Sequence, residues 1–313
     1  MARPLDADGR PLDPEVLGLP AVASPPAAAV GPASGAGITR WWRRFARNKG
    51  AVFGLAVFVA VVAMAVFAGA LAPYDPLAQG VGAPLQTPSL AHWAGTDSFG
   101  RDMLSRIIYG ARIALVVGIL AVLLALVVGV TLGLVAGYYG GVVDAVIMRV
   151  MDGLFAFPII ILAIAMMAVV GFGVKNLIIA VAVGFIAPFA RVTRGDVLAV
   201  KEEPYIEAAR LVGVGSLAII FRHVLPNVLA PIIVQGALRV SGAIITEAGL
   251  SFLGLGPPPP TPVWGSMIAE GRNFIVMASH VSTLPGVALM VTIVGLNLLG
   301  DGLRDTLDPR MRQ

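Results

Sequence analysis

The residues that could carry chemistry in this sequence lack the spacing that catalysis requires. No lysine follows a glycine and precedes a serine or threonine, as a phosphate-binding P-loop would need. The histidines fall in separate segments without a His-Glu-x-x-His pattern, which argues against a zinc site, and cysteine is absent. We therefore expect no enzymatic activity and no metal or cofactor bound by this chain. The residues considered are Lys49, Lys175, Lys201, His92, His223 and His280.

The composition places the chain in a membrane. Of 313 residues, 58% are apolar and 13% are charged, whereas an average soluble domain has about 45–50% and about 25%. Such a chain cannot cover a soluble globule with polar surface. The net charge is +4, but the arginines are scattered between apolar runs and form no patch for nucleic acid. We interpret the basic excess as a determinant of membrane topology.

Six apolar runs can position the polar segments as transmembrane helices. Residues 51–71 are 21 uncharged residues, which would form a helix about 32 Å long. The fourth run is short and must borrow Lys175 and Arg191, whose stems can snorkel. The fifth contains Arg239 and Glu247, so it must face protein or water. We predict an all-α membrane protein with about six transmembrane helices, in residues 51–71, 113–136, 154–173, 177–190, 228–249 and 281–300.

The basic residues also predict the orientation of these helices. From residue 40 onward, the segments on one side of the six helices hold fourteen lysines and arginines, and the segments on the other side hold five. Because cytoplasmic loops carry the excess of basic residues, both termini are predicted to be cytoplasmic. Residues 1–39 have Pro- and Ala-rich clusters without an apolar period, which predicts a disordered cytoplasmic tail.

The stretch 191–226 is long for a connector between two apolar helices and contains five basic and four acidic residues. Pro204 can open a helix because its missing N–H is not needed in the first turn, and the nearby glutamates suit the positive end. Gly213 and Gly215 can end it. These signals predict a short exposed helix. It could dock a partner, or it could be a solvated amphipathic loop with no partner.

The spacing in this stretch resembles the cytoplasmic EAA loop of permease subunits in ATP-binding-cassette importers. The match consists of Glu207-Ala208-Ala209, three residues, Gly213, nine residues, and then His223-Val224-Leu225-Pro226. After residue 40 the chain resembles the C-type permease of the dipeptide/oligopeptide/nickel importer family. The supporting runs include His92-x-x-Gly95-Thr96-Asp97-x-x-Gly100-Arg101-Asp102-x-x-Ser105-Arg106, Gly137-Tyr138-Tyr139-Gly140-Gly141, Leu250-Ser251-Phe252-Leu253-Gly254-Leu255-Gly256 and Gly300-Asp301-x-Leu303-Arg304-Asp305.

The resemblance implies a type I importer permease fold in a bacterial inner membrane. It implies a heterodimer with a second permease, two ATPase subunits that bind ATP and Mg, and an extracytoplasmic solute-binding protein that delivers a short peptide. The implied organisation is the tail 1–39, an N-terminal transmembrane helix with an external segment in 40–95, and a permease domain in 96–313 with the coupling loop 191–226. The implied ATPase-coupling residues are Glu207, Ala208, Ala209, Gly213, Leu225 and Pro226.

Charged and glycine residues elsewhere lead to three further expectations. Glu247 and Arg239 are eight residues apart and could share a helix face that lines the translocation path or the permease interface, although Glu247 could instead sit near the outer headgroups. Asp97 and Asp102 each precede an arginine by four residues, which suggests an amphipathic interfacial helix with internal pairs. The glycine stripe 129, 133 and 137 favours close helix packing within this subunit over a subunit interface.

The sequence leaves two other functional classes open, a secondary transporter and a membrane scaffold. An ion-coupled secondary transporter would need ionisable groups near the midplane and often repeated halves, but only Arg239 and Glu247 are seen and no repeat is found. A membrane scaffold would explain the helices but not the docking loop. Within the resembled family, nickel or glutathione could replace a peptide as the substrate.

Overall fold

The computed structural model describes residues 42–43 and 45–307, so the predicted tail 1–39 lies outside the described residues. The described chain is built from helices and has no β-strand longer than an isolated bridge. In chain order these are α1 (Lys49–Val66), α2 (Ala68–Leu71), α3 (Met103–Tyr139), α4 (Gly141–Phe155), α5 (Ile159–Val170), α6 (Val174–Val200), α7 (Pro204–Leu211), α8 (Ser216–Ile219), a π-helical turn (Ile220–Val224), α9 (Leu225–Phe252), α10 (Trp264–Gly271), a 3₁₀ turn (Arg272–Phe274) and α11 (His280–Leu307).

Five of the described helical segments are long and apolar enough to cross a membrane, and the bent pair α4–α5 makes a sixth if it is one span. The prediction of about six transmembrane helices is therefore confirmed. The prediction of one straight run over 154–173 was wrong, because α4 and α5 meet at 91°. Pro158 lies in this break, where its ring and missing N–H prevent the helix from continuing. Two ion pairs, Asp144–Arg194 and Asp152–Arg191, hold α4 against α6.

The glycine stripe on α3 packs against α6 inside this chain, as predicted. A Cβ atom added at Gly133 would lie 2.6 Å from the carbonyl oxygen of Ala190, and one at Gly129 would lie 2.6 Å from the Cβ of Phe189. Only glycine therefore permits this approach of the two backbones. The fourth predicted span is longer than its uncharged run, because α6 includes both Lys175 and Arg191, as expected from snorkelling.

The predicted interfacial helix around residues 97–106 is not formed. The chain is a turn up to Asp102, whose side chain accepts a hydrogen bond from the Ser105 N–H and caps α3. The pair Asp97–Arg101 exists at 2.5 Å, but in the turn, while Asp102 binds His92 at 2.9 Å and not Arg106. The four-residue spacing suggested a helix through both pairs. In the structure the helix begins only after Asp102, whose carboxylate is the N-cap of α3.

A buried ion-pair network replaces that surface helix. The ion-pair network consists of Asp97, Arg101, Arg106 and Glu270. Both arginines approach Asp97, and both also approach the Glu270 side chain on α10, at 3.3 and 3.8 Å. Asp97, Arg101 and Arg106 are almost fully buried, whereas the Glu270 side chain is 31% exposed. The network joins the first turn of α3 to a helix far along the sequence.

Much of the predicted loop 191–226 is helical in the structure. Helix α6 continues to Val200, and the chain is helical again from Ser216 through the π-helical turn into α9. The predicted loop 191–226 ends at Pro226, which lies in the first turn of α9, where a missing N–H is tolerated. Residues 201–224, here called the connecting segment, therefore link α6 to α9 and contain α7, α8 and the π-helical turn.

Candidate coupling surface

The helix predicted in the connecting segment is present as α7. Pro204 occupies its first turn and Glu207 adds a negative charge near the positive N-terminus. The helix ends at Leu211, and Gly213 follows with a φ of +82°, in the left-handed region that favours glycine. The Val214 N–H donates to the Ala209 carbonyl oxygen at 3.0 Å and closes the turn.

One face of α7 is embedded in the protein and the other faces outward. Ile206 is 0% exposed, and Ala209 is half-buried beside it. Glu207 and Ala208, which follow Ile206 directly, are exposed together with Arg210. The first two residues of the Glu-Ala-Ala motif are thus available to a partner, while its third residue belongs to the packed side.

Ile206 joins a buried apolar cluster contributed by α3, α6, α8, the π-helical turn and α9. An isolated helix of eight residues is unstable in water, since helices shorter than about 12–15 residues rarely form alone. Burial of an isoleucine side chain contributes about 1.5–3 kcal/mol. This single side chain is therefore a main anchor of α7. The buried cluster contains Val130, Leu134, Val197, Ile206, Ile219, Ile220, Val224, Val228 and Ile232.

Two basic residues contact the last turns of α3: Arg210 within α7, and Lys201, which follows α6 and precedes α7 by three residues. The Lys201 ammonium donates to the Gly137 carbonyl oxygen at 3.2 Å, a carbonyl near the C-terminus of α3. The Arg210 guanidinium lies over the Tyr138 ring, 5.4 Å from its centre. Lys201 and Arg210 were not identified from the sequence, which carries no signal for either contact. The spacing of Ile206 and Ala209, three residues apart, could have indicated the embedded face.

Large apolar side chains are exposed along the connecting segment. Leu211 is 82% exposed and Val212 is 79% exposed, and further along the segment Leu217 and Phe221 are also exposed. An exposed apolar surface of this kind, with charged residues beside it, is typical of a protein-binding site. Of the other predicted coupling residues, Leu225 packs partly into the cluster of Ile206, and Pro226 is exposed.

The structure does not bring Arg239 and Glu247 together. Glu247 is 0% exposed in α9, and its Oε1 accepts a hydrogen bond from the Ser251 hydroxyl at 2.7 Å. Arg239 is half-buried, and no carboxylate of residues 45–307 lies within salt-bridge distance of it. In the described part of the chain, no group of three potential ligand residues could hold a metal ion.

Models of known protein families match both the N-terminal and the C-terminal part of the chain. The family model described as "binding-protein-dependent transport system inner membrane component" matches residues 129–313. The model described as "N-terminal TM domain of oligopeptide transport permease C" matches residues 38–88. Together the two models cover most of the chain outside the N-terminal tail.

Named relatives match over most of their length. The glutathione transport system permease protein GsiD of Escherichia coli is 46% identical over 280 residues, which is 87% of this chain and 90% of that protein. The protein of the same name from Pectobacterium atrosepticum is 47% identical over 280 residues, or 87% of this chain and 91% of that one.

Among solved structures, the fold is similar to a chain of the MetNI methionine ABC transporter in an inward-facing conformation. The TM-score is 0.52 at 19% sequence identity, and the match covers 65% of this chain and 97% of the other. At this level of identity the likeness concerns the fold alone.

Proposed function

The chain belongs to the family of binding-protein-dependent transport inner membrane components, as a permease subunit of an ATP-binding-cassette importer, and from this premise we propose that it forms half of the translocation path for a short peptide, with glutathione as the first substrate to test. The fold is that of a type I importer permease. The choice of glutathione is supported by the relatives at 46–47% identity, which are named for its transport. Nickel is the other alternative substrate within the family.

We propose that the chain works with a second homologous permease subunit, two ATPase subunits and an extracytoplasmic solute-binding protein. ATP and Mg would be bound by the ATPase subunits. The connecting segment and both termini would face the cytoplasm, where those subunits lie, in agreement with the bias of basic residues.

The observation that carries the coupling role is the two-faced packing of α7. Its outer face presents Glu207 and Ala208, and its inner face is held by Ile206. A helix fixed in this way moves with whatever grips its outer face, because the buried side chain and the contacts of Lys201 and Arg210 join it to α3. ATP-driven closure of the ATPase pair would displace α7 and bias the spanning helices between inward and outward access.

The charged residues Arg239 and Glu247 of α9 are proposed to act in the translocation path or at the interface with the second permease. Glu247 lies inside the chain in this conformation, so its exposure would require the rearrangement that alternating access supplies. Arg239 is half-buried on the same helix.

The test is uptake of labelled glutathione, and separately of a labelled dipeptide, by the complete importer reconstituted in proteoliposomes. Glu207→Lys reverses the charge on the outer face, and Gly213→Pro is incompatible with the positive φ after α7. Both variants should insert and assemble but lose ATP-driven uptake. Glu202→Lys, at an exposed site before α7, is the matched charge control.

Normal uptake by either variant would contradict the coupling role. Uptake that needs an ion gradient and no ATP would instead favour the secondary-transporter alternative. Transport of a dipeptide but not glutathione would preserve the permease function and reassign the substrate.

A further inference from the structure

A basic segment precedes the first span and is not used by the coupling machinery. Between Glu15 and Asp75 the sequence contains no acidic residue, and the basic residues in this interval cluster in positions 40–49. In the described part of this segment, Trp42, Arg43 and residues 45–47 are helical, and Asn48 then caps α1 by accepting a hydrogen bond from the Ala51 N–H. The segment therefore leads directly into a membrane-spanning helix.

Phe45 fixes the position of this segment. It is 1% exposed, and a Cβ atom added at Gly302 on α11 would lie 3.4 Å from its ring. Asn48 donates from its side-chain amide to the Asp305 carboxylate at 3.4 Å, also on α11. These contacts place the described part of the basic segment against the final turns of α11, beside the N-terminus of α1.

Three cationic side chains in the described part of the segment are exposed and take no part in these contacts. Arg43, Arg47 and Lys49 are exposed, and in residues 42–43 and 45–307 none of them lies within salt-bridge distance of a carboxylate. Asp305 on α11 is engaged by Asn48 instead. Trp42 is 51% exposed although it stacks on Phe45.

We propose that Trp42, Arg43, Arg47 and Lys49 form a binding site for the headgroups of anionic phospholipids at the membrane surface. Basic clusters immediately beside a transmembrane helix are attracted to anionic lipids, and tryptophan is favoured at the level of the headgroups. The site is continuous with α1, so a phosphate that these cations bind lies at the depth where lipid headgroups are found. Phe45 holds the segment in place, so the cations need little further ordering to bind.

The test uses the full-length chain in detergent and counts retained lipids by native mass spectrometry. The probes are cardiolipin and phosphatidylglycerol, with phosphatidylcholine as the neutral lipid and inorganic phosphate as the free anion. The test variant is Arg43→Gln/Arg47→Gln/Lys49→Gln. The control variant, Arg149→Gln/Arg222→Gln/Arg272→Gln, removes the same charge from exposed positions elsewhere.

Each basic residue near an anionic surface contributes about fivefold in affinity at low salt. After allowance for screening, the test variant should bind both anionic lipids at least about tenfold more weakly. The control variant should stay within about twofold of the unaltered chain. High salt should displace the anionic lipids from the unaltered chain, which provides a second measurement if the test variant fails to fold.

Equal lipid retention by the two variants, or retention that resists high salt, would overturn the proposal. Binding of inorganic phosphate as tight as that of the lipids would also overturn it, since the site would then recognise a free anion and not the membrane surface.

Discussion

Removal of the buried anchor of α7 should release that helix without unfolding the bundle. Ile206 is 0% exposed within a cluster shared by α3, α6 and α9. Truncation of a buried isoleucine to alanine costs about 2–5 kcal/mol, and each 1.4 kcal/mol corresponds to about tenfold in an equilibrium constant. Because α7 cannot persist alone, most of a cost of about 3 kcal/mol should appear in its local docking equilibrium, as an increase of about a hundredfold in the released population.

Hydrogen exchange followed by mass spectrometry can measure this change in the full-length chain in lipid nanodiscs. In Ile206→Ala, amides of residues 205–211 should exchange up to about a hundredfold faster, while those of the spanning helices keep their protection. Leu211→Ala is the matched control, because this side chain is 82% exposed and its truncation leaves the anchor intact. Its exchange in the same region should change by no more than about twofold.

Two results would refute the reasoning. Unchanged exchange of residues 205–211 in Ile206→Ala would show that the buried side chain does not hold the helix. Equal acceleration in α6 and α9 would show that the substitution acts on the whole bundle and not on the docking of α7.

The remaining predictions concern the packing of the helices and the contact between Lys201 and Gly137. Gly133→Leu should lower the thermal unfolding temperature, because the first atom of the new side chain would meet the backbone of α6 and overpacking costs about 1–3 kcal/mol. Gly153 faces open space, so Gly153→Leu should leave the unfolding temperature unchanged. Asp97→Asn should destabilise the protein by about 3–5 kcal/mol, measured by chemical denaturation, and more than Glu270→Gln does, because the Glu270 side chain is partly exposed. Lys201→Met should weaken the docking of α7 by about 0.5–1.5 kcal/mol, seen as faster exchange of residues 205–211.

Each of these predictions has an opposing outcome. Equal unfolding temperatures for the two leucine variants would argue against close α3–α6 packing. If Glu270→Gln is at least as destabilising as Asp97→Asn, Asp97 is not the main counter-charge of the two arginines. Unchanged exchange in Lys201→Met would show that the contact with Gly137 does not hold α7.

The sequence predicted the features that depend on local pattern. The apolar runs located the spans, and Pro204 and Gly213 located the ends of α7, because helix termini and uncharged runs are read from neighbouring residues. The glycine stripe indicated a close approach. The bend between α4 and α5 was missed because Pro158 was treated as part of one continuous apolar run.

Contacts between distant segments could not be read in the same way. Arg101 and Glu270 are 169 residues apart, and Lys201 and Gly137 are 64 apart. Nothing in either local sequence specifies these partners. For Asp102 and Arg106 the spacing suggested a wrong pair, since a carboxylate four residues before an arginine can also serve as a helix cap.

Helix α3 links two parts of the molecule that lie on opposite sides of the bilayer in the proposed topology. Its 37 residues contain no proline, and the stretch from Arg106 to Gly137 measures about 47 Å at 1.5 Å per residue. One end is clamped by the ion-pair network and the other by Lys201. A helix held at both ends cannot tilt at one end without tilting at the other, so in the proposed topology α3 links the two aqueous compartments mechanically.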